Sequence, residues 1–276
     1  MEFEERLQSY PLFDYAARNW GHHVRHVSIQ GEGELLALRV LESEGNVSAS
    51  SQAMLTTKLG AWHSDYSQQV PLHVTGLHLA AYFGLDQSLA TLLQRGHSPS
   101  WKDSHGRTAL SWAAESGYEE VVERLLDSPI GTDWRDQYDR TPLSWAAYNG
   151  HDKIVKLLLQ KDIDPDPKDI HGETPLGMAA CQGHEGVVEQ LLADRLVNPD
   201  AKYRTGETPL WWAAHNGHEG VVSHLLAFDE VEPDSKNIDH RTPLWAAACS
   251  GNEKILQLLL EKDVDPDPRD YVAYHH

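Results

Sequence analysis

The sequence predicts an all-α fold built of stacked pairs of short helices, on three observations. A seven-residue segment that opens on threonine and closes on Ala-Ala recurs along the chain, its copies keep a constant period, and each is followed three residues later by a glycine. Thr108-Ala109-Leu110-Ser111-Trp112-Ala113-Ala114 returns as Thr141-Pro142-Leu143-Ser144-Trp145-Ala146-Ala147 and as Thr174-Pro175-Leu176-Gly177-Met178-Ala179-Ala180. It returns again as Thr208-Pro209-Leu210-Trp211-Trp212-Ala213-Ala214 and Thr242-Pro243-Leu244-Trp245-Ala246-Ala247-Ala248, with a weaker first copy at Thr75-Gly76-Leu77-His78-Leu79-Ala80-Ala81. Successive threonines lie 33, 33, 33, 34 and 34 residues apart. A fixed period of this length marks an array in which each unit buries its apolar face against its neighbours.

Each unit has a physical grammar. Threonine caps a helix N-terminus, and proline behind it suits the first helical position, where a missing N–H costs nothing. The Ala-Ala pair lets a neighbouring backbone approach closely. The glycine (Gly84, Gly117, Gly150, Gly183, Gly217 and Gly251) suits a left-handed C-terminal cap and ends the first helix. Apolar spacing such as Ile154-Val155-Leu157-Leu158 then predicts a second, antiparallel helix. Asp164-Pro165-Asp166-Pro167 cannot continue that helix and leads to turn residues at Asp169-Ile170-His171-Gly172. The chain therefore divides into residues 1–74 and six repeats over 75–276, starting near 75, 108, 141, 174, 208 and 242.

Within the first 74 residues, Pro11 to His22 reads as the same first helix with one extra residue before its glycine, a cryptic repeat. Glu34 to Leu41 has helical apolar spacing, whereas Ser48 to Gln52 and the segment up to Pro71 lack a clean period. This part is expected to be an irregular helical cap, because a terminal repeat without one would expose a large apolar face.

A unit of turn plus two helices with Thr-Pro-Leu and Gly-His resembles the ankyrin repeat. The resemblance runs from 75 to about 270, with local departures: Gly76 for the proline, Leu85, Tyr118 and Asn252 for the histidine after the glycine, and serine, glycine or tryptophan for the histidine after Thr-Pro-Leu. The lead-in Tyr10 to His23, followed by units written Ser-Trp-Ala-Ala, resembles the ankyrin portion of fungal NACHT-type receptor and heterokaryon-incompatibility proteins. In that family a nucleotide-switch domain and an effector domain precede repeats that sense ligands. This chain has no Gly-Lys dipeptide, so no phosphate-cradling loop is assigned to it, and it reads as a sensor fragment or a stand-alone relative.

Composition narrows the partner. The formal charge of −19 disfavours nucleic acid and anionic membranes. Two cysteines, no basic n-region before an apolar core, and no long apolar run point to an intracellular protein, cytoplasmic or nuclear. No cofactor or metal is expected. His22 and His26 share the i, i+4 spacing of a ligand pair but have no visible third ligand, and His184-Glu185 and His218-Glu219 lack the second histidine of a zinc-protease motif. Cys181 and His215 occupy one position of adjacent repeats, too far apart for a nucleophile pair, so no catalytic residue is assigned.

Trp112, Trp145 and Trp212 stand where the family packs an apolar residue, so they read as core or semi-core. Trp101 and Trp134 read as stacking on the next repeat, and Trp211 and Trp245 as the exposed ones. The ankyrin resemblance implies a concave face lined by the turn tips and the two residues after Ala-Ala. That maps partner binding to Tyr82, Phe83, Glu115, Tyr148, Asn149, Gln182, His215 and Asn216 on the helices. The tips add His105, Arg107, Tyr138, Arg140, His171, Arg204 and Arg241, with Trp211 and Trp245 beside them. Aromatic and arginine side chains are what interface hot spots favour, so the expected function is recognition of a protein or peptide. Two other classes stay open: a small-molecule binder or unorthodox enzyme using the Trp/His/Cys-rich inner face, and a structural assembly scaffold.

Overall fold

In a computed structural model, the structure describes residues 19–25, 32–55, 72–128, 131, 134–262 and 264–265. All regular elements among them are helices. The chain divides into two compact units, Met1–Gln137 and Tyr138–His276. The first holds a helical turn at 19–25, then α1 (Glu32–Leu41), α2 (Glu44–Leu55), α3 (Gly76–Phe83), α4 (Asp86–Gln94), α5 (Ala109–Ser116) and α6 (Glu119–Leu126). The second holds α7 (Pro142–Asn149), α8 (Asp152–Leu159), α9 (Pro175–Gln182), α10 (Glu185–Leu192), α11 (Pro209–Asn216), α12 (Glu219–Leu225), α13 (Pro243–Ser250) and α14 (Glu253–Leu260).

Most of the proposed cryptic repeat at 11–22 lies outside the described residues, as does His26. Ser48 to Gln52, which lack a clean period, lie within the helix α2, and 56–71 falls outside the described residues. Ser50 and Ser51 of α2 bury without penalty because they are bonded: Ser50 Oγ accepts from Trp20 Nε1 at 3.0 Å and Ser51 Oγ donates to the Ser48 carbonyl at 2.9 Å.

The helix starts follow from capping. Thr141 Oγ1 accepts from Ser144 N at 3.2 Å, and Thr174, Thr208 and Thr242 accept in the same way from Gly177, Trp211 and Trp245. In the first copy His78 replaces this serine: its Nδ1 accepts from Thr75 N at 3.0 Å, which leaves Nε2–H to donate to the Arg107 carbonyl at 3.1 Å. Burial pulls the His78 imidazole down to about 4, so it is neutral at pH 7. At the helix end Gly150 has φ 75°, and a Cβ there would stand 2.5 Å from His184 Nδ1 of the following repeat. That close approach lets His184 Nε2 donate to the Tyr148 carbonyl at 3.0 Å, and His218 repeats it on the Cys181 carbonyl at 2.9 Å. Both imidazoles are thus committed to joining repeats.

Inner helices pack side by side through the fully buried Ala146, Ala147, Ala179, Ala180, Ala213 and Ala214. Outer helices bury Ile154, Val155 and Leu158 and their equivalents Val187, Val188 and Leu191. Each such aliphatic side chain contributes roughly 1.5–3 kcal/mol when removed from water.

The Asp-Pro turns add a polar ladder along one edge of the second unit. Asp166 Oδ2 accepts from Asn198 N at 3.3 Å, Asp234 Oδ2 accepts from Asp265 N at 2.9 Å, and Asp200 is held by the backbone of Glu232. The other oxygen of each carboxylate is buried and accepts nothing from the protein. Desolvation pushes the Asp166 and Asp200 carboxyls up to about 6, against smaller pulls from Lys168 and Lys202. A raised folded-state value means that the stabilising contribution is complete below the unfolded value and is lost as pH rises through about 6. At pH 7.5 both carboxylates are therefore ionised at a cost. Asp166→Asn with Asp200→Asn keeps the acceptor and removes the charge. It should raise the unfolding midpoint at pH 7.5, by no more than about 1 kcal/mol per site because solvent still reaches both groups. The gain should shrink as pH falls to 5. A variant less stable than wild type at pH 7.5 would show that the charge itself is needed.

Candidate binding surface

The second unit sets pairs of residues after Ala-Ala side by side: Tyr148 and Asn149, Cys181 and Gln182, His215 and Asn216, Cys249 and Ser250. The first two pairs are half-buried and the last two exposed. They are braced by the scaffold. Asn149 Nδ2 donates to the Trp145 carbonyl and Asn216 Nδ2 to the Cys181 carbonyl, both at 2.9 Å, and Ser250 Oγ donates to the Ala214 carbonyl at 3.4 Å.

The turn tips form a second row in register. Ile170 N donates to the Tyr138 carbonyl at 3.0 Å, Arg204 N to the His171 carbonyl at 2.9 Å, and Ile238 N to the Thr205 carbonyl at 3.0 Å. Within the turns Asp169 Oδ1 accepts from His171 N and Glu173 N, and Asn237 Oδ1 from Asp239 N and Arg241 N. Tyr138 and His171 are half-buried, while Arg204 is exposed.

Three expected surface residues are not on the surface. Arg140 is 6% exposed. Its Nε donates to Asp169 Oδ2 at 3.0 Å and its Nη2 to Glu173 Oε2 at 3.2 Å, so two acids of the following turn draw it inward. Trp211 is 7% exposed, because His215, one helical turn later, stacks on it at 5.1 Å and Trp212 meets it edge-on at 4.9 Å. Trp212, expected in the core or at its edge, is half-buried. Phe83, in the first unit, is fully buried under Trp20 and His22, at 5.2 and 5.1 Å. Trp245 is half-buried beneath the Arg241 guanidinium at 4.3 Å.

In the first unit the corresponding positions are likewise tied. Arg107 binds Asp103 at 3.1 Å and Glu115 at 3.2 Å, and lies 4.5 Å over Trp112. Tyr82 meets Trp112 edge-on at 5.8 Å. His105 N donates to Asp103 Oδ1 at 2.9 Å, and burial holds its imidazole below the usual range. Lys102 lies 4.8 Å over Trp134, whereas Trp101 is 58% exposed.

Sequence reasoning missed Tyr203 and Gly177. Tyr203 stands where the other turns have Asp103, Asp136, Asp169 and Asn237, and its ring lies over Gly177, where a Cβ would come within 2.6 Å of the phenol oxygen. Burial, then the nearby Glu173, raises the phenol well above its ordinary value. A simultaneous break of the repeat pattern at two positions was the available signal.

Cys181 makes a poor nucleophile. Burial pushes its thiol up to about 11, and the group at Sγ is the amide of Asn216 at 3.3 Å, which is no base. Among the described residues no group of three or more His, Cys, Asp or Glu is arranged to hold a metal, and no helix is long and apolar enough to cross a membrane.

The family model "Ankyrin repeats (3 copies)" matches residues 77–169, 130–203 and 176–270, and the chain belongs to the ankyrin repeat family. Among solved structures, the human ASB11 ankyrin repeat domain matches with a TM-score of 0.67 and 26% identity over 72% of this chain and 88% of that one. No curated protein matches. Ankyrin repeats are generally protein–protein interaction modules.

Proposed function

We propose that the chain recognises a protein or an extended peptide through the surface that residues 138–262 form with their inner-helix ends and turn tips. The observation that carries this reading is the bracing of that surface: Asn216 and Ser250 donate to carbonyls of the preceding repeat, and the turn-tip amides are bonded from one repeat to the next. A surface ordered before binding loses little entropy when a partner docks. Residues 1–74 act in this reading as a cap on six repeats. The resemblance of the lead-in to fungal receptor-like proteins supports a sensor role inside the cell, with the repeats as the part that meets the ligand. The high thiol value of Cys181 disfavours a catalytic use of the same face.

The test uses peptides selected on this chain from a displayed random library. Tyr138→Ala with Tyr148→Ala is expected to weaken a selected peptide by about 2 kcal/mol or more, as loss of hot-spot aromatics does. Both rings are only half-buried, so the unfolding midpoint should stay nearly unchanged. Lys156→Ala with Lys161→Ala, on exposed positions of the α8 region, is the control and should change binding by a few tenths of a kcal/mol. Binding that follows the lysines and ignores the tyrosines would move the site to the outer helices.

A further inference from the structure

The repeat pattern breaks most sharply around one carboxylate. At the residue before each capping threonine from Thr108 onward the chain carries Arg107, Arg140, Glu173, Glu207 and Arg241. Glu207 meets an amide of the following turn, with Asn237 Nδ2 donating to its Oε1 at 2.8 Å. For Glu173 the equivalent residue of the following turn is Tyr203, whose ring is turned over Gly177 instead. The side-chain bond that Glu173 keeps is the one from Arg140, and Arg140 is already shared with Asp169.

The local charge does not balance. Asp169 and Glu173 bring two negative charges to one guanidinium, and the side chains of Arg140 and Asp169 are 7% and 0% exposed. The excess therefore sits on Glu173, the member that solvent reaches, at 28% exposed. Burial, then the charge of Asp169, raises its carboxyl above the usual range against smaller opposing pulls from Arg140 and His171. Tyr148, Cys181 and Tyr203 all lie close enough for their titration to feel this carboxylate. The outcome is a partly buried negative charge within electrostatic reach of the half-buried Tyr148, on the proposed surface of a chain of net charge −19.

Resting on the binding-surface reading, we propose that Glu173 is the anchor for an arginine side chain of the partner, whose guanidinium pairs with the carboxylate and lies against Tyr148. Arginine fits better than lysine, since a planar guanidinium can use two carboxylate oxygens and an aromatic face together. The negative field of the chain speeds the approach of such a partner.

The probe is N-acetyl-arginine methylamide, titrated onto the full chain while the backbone amide signals of Gly177 and Cys181 are followed by NMR. N-acetyl-citrulline methylamide, the neutral isostere, and the Glu173→Gln variant are run in parallel. Saturable shifts at both amides are expected, at least about fivefold weaker for the citrulline probe and for Glu173→Gln, with the rest of the variant's spectrum unchanged. Shifts that are absent, equal for the two probes, or unaltered in Glu173→Gln would overturn the assignment. Because this readout needs no peptide partner, it can fail while the tyrosine pair still governs peptide binding, and the converse.

Discussion

Replacing Arg140 by alanine is expected to cost about 3 to 5 kcal/mol of folding stability, because it leaves an uncompensated buried charge behind. Asp169 has no exposed side-chain surface, and its Oδ2 loses the Arg140 Nε donor while its Oδ1 stays engaged by the two turn amides. Glu173 loses its partner at the same time. Two carboxylates then face each other with no cation between them, and a denaturant titration should report the loss as a lower midpoint. Arg140→Lys keeps the charge on a point group that cannot serve two carboxylates at the angles the fork provides, so its cost should be intermediate. Adding Glu173→Gln to Arg140→Ala should recover part of the stability, which a purely packing role for the arginine would not allow. A loss below about 1 kcal/mol in Arg140→Ala would mean that water replaces the guanidinium, and that the site is far wetter than its burial indicates.

The scaffold was legible in the sequence because its determinants are local. Thr141 needs only Ser144, three residues on, to close a helix start, and Gly150 needs only its own φ to end the helix. The surface was less legible because its determinants are not local. Whether Arg140 faces solvent or interior depends on Asp169 and Glu173, 29 and 33 residues later, and nothing in Arg140's own repeat reports this. Phe83 is covered by Trp20 and His22, 63 and 61 residues earlier in the chain, and nothing in its own repeat reports that cover. Trp211 is the exception. Its cover, His215, is four residues on along the same helix, the spacing at which side chains meet, and that pairing could have been read directly. The break at Gly177 and Tyr203 was also visible, although only the folded chain shows that the two changes complement each other in space.

Trp112 should show the second large effect, in the first unit, and two substitutions separate its packing from its polar contribution. The indole is 1% exposed and is bounded by His78 at 5.9 Å, Tyr82 at 5.8 Å and the Arg107 guanidinium at 4.5 Å. Trp112→Ala removes this volume beside inner helices that have little room to collapse, and is expected to cost about 3 to 5 kcal/mol. The indole also does polar work, since Nε1 donates to Asp103 Oδ2 at 3.1 Å. That carboxylate is 4% exposed and takes a second bond on the same oxygen from Arg107 Nε. Trp112→Phe retains most of the ring stack and removes the donor, and a hydrogen bond to a charged group is worth about 1.5 to 3 kcal/mol. The phenylalanine variant should therefore lose roughly half of what the alanine variant loses. Urea titrations of the three proteins at one pH decide the matter. Equal losses would assign the whole effect to the bond on Asp103, whereas a neutral phenylalanine would show that Arg107 and the turn amides satisfy this carboxylate unaided.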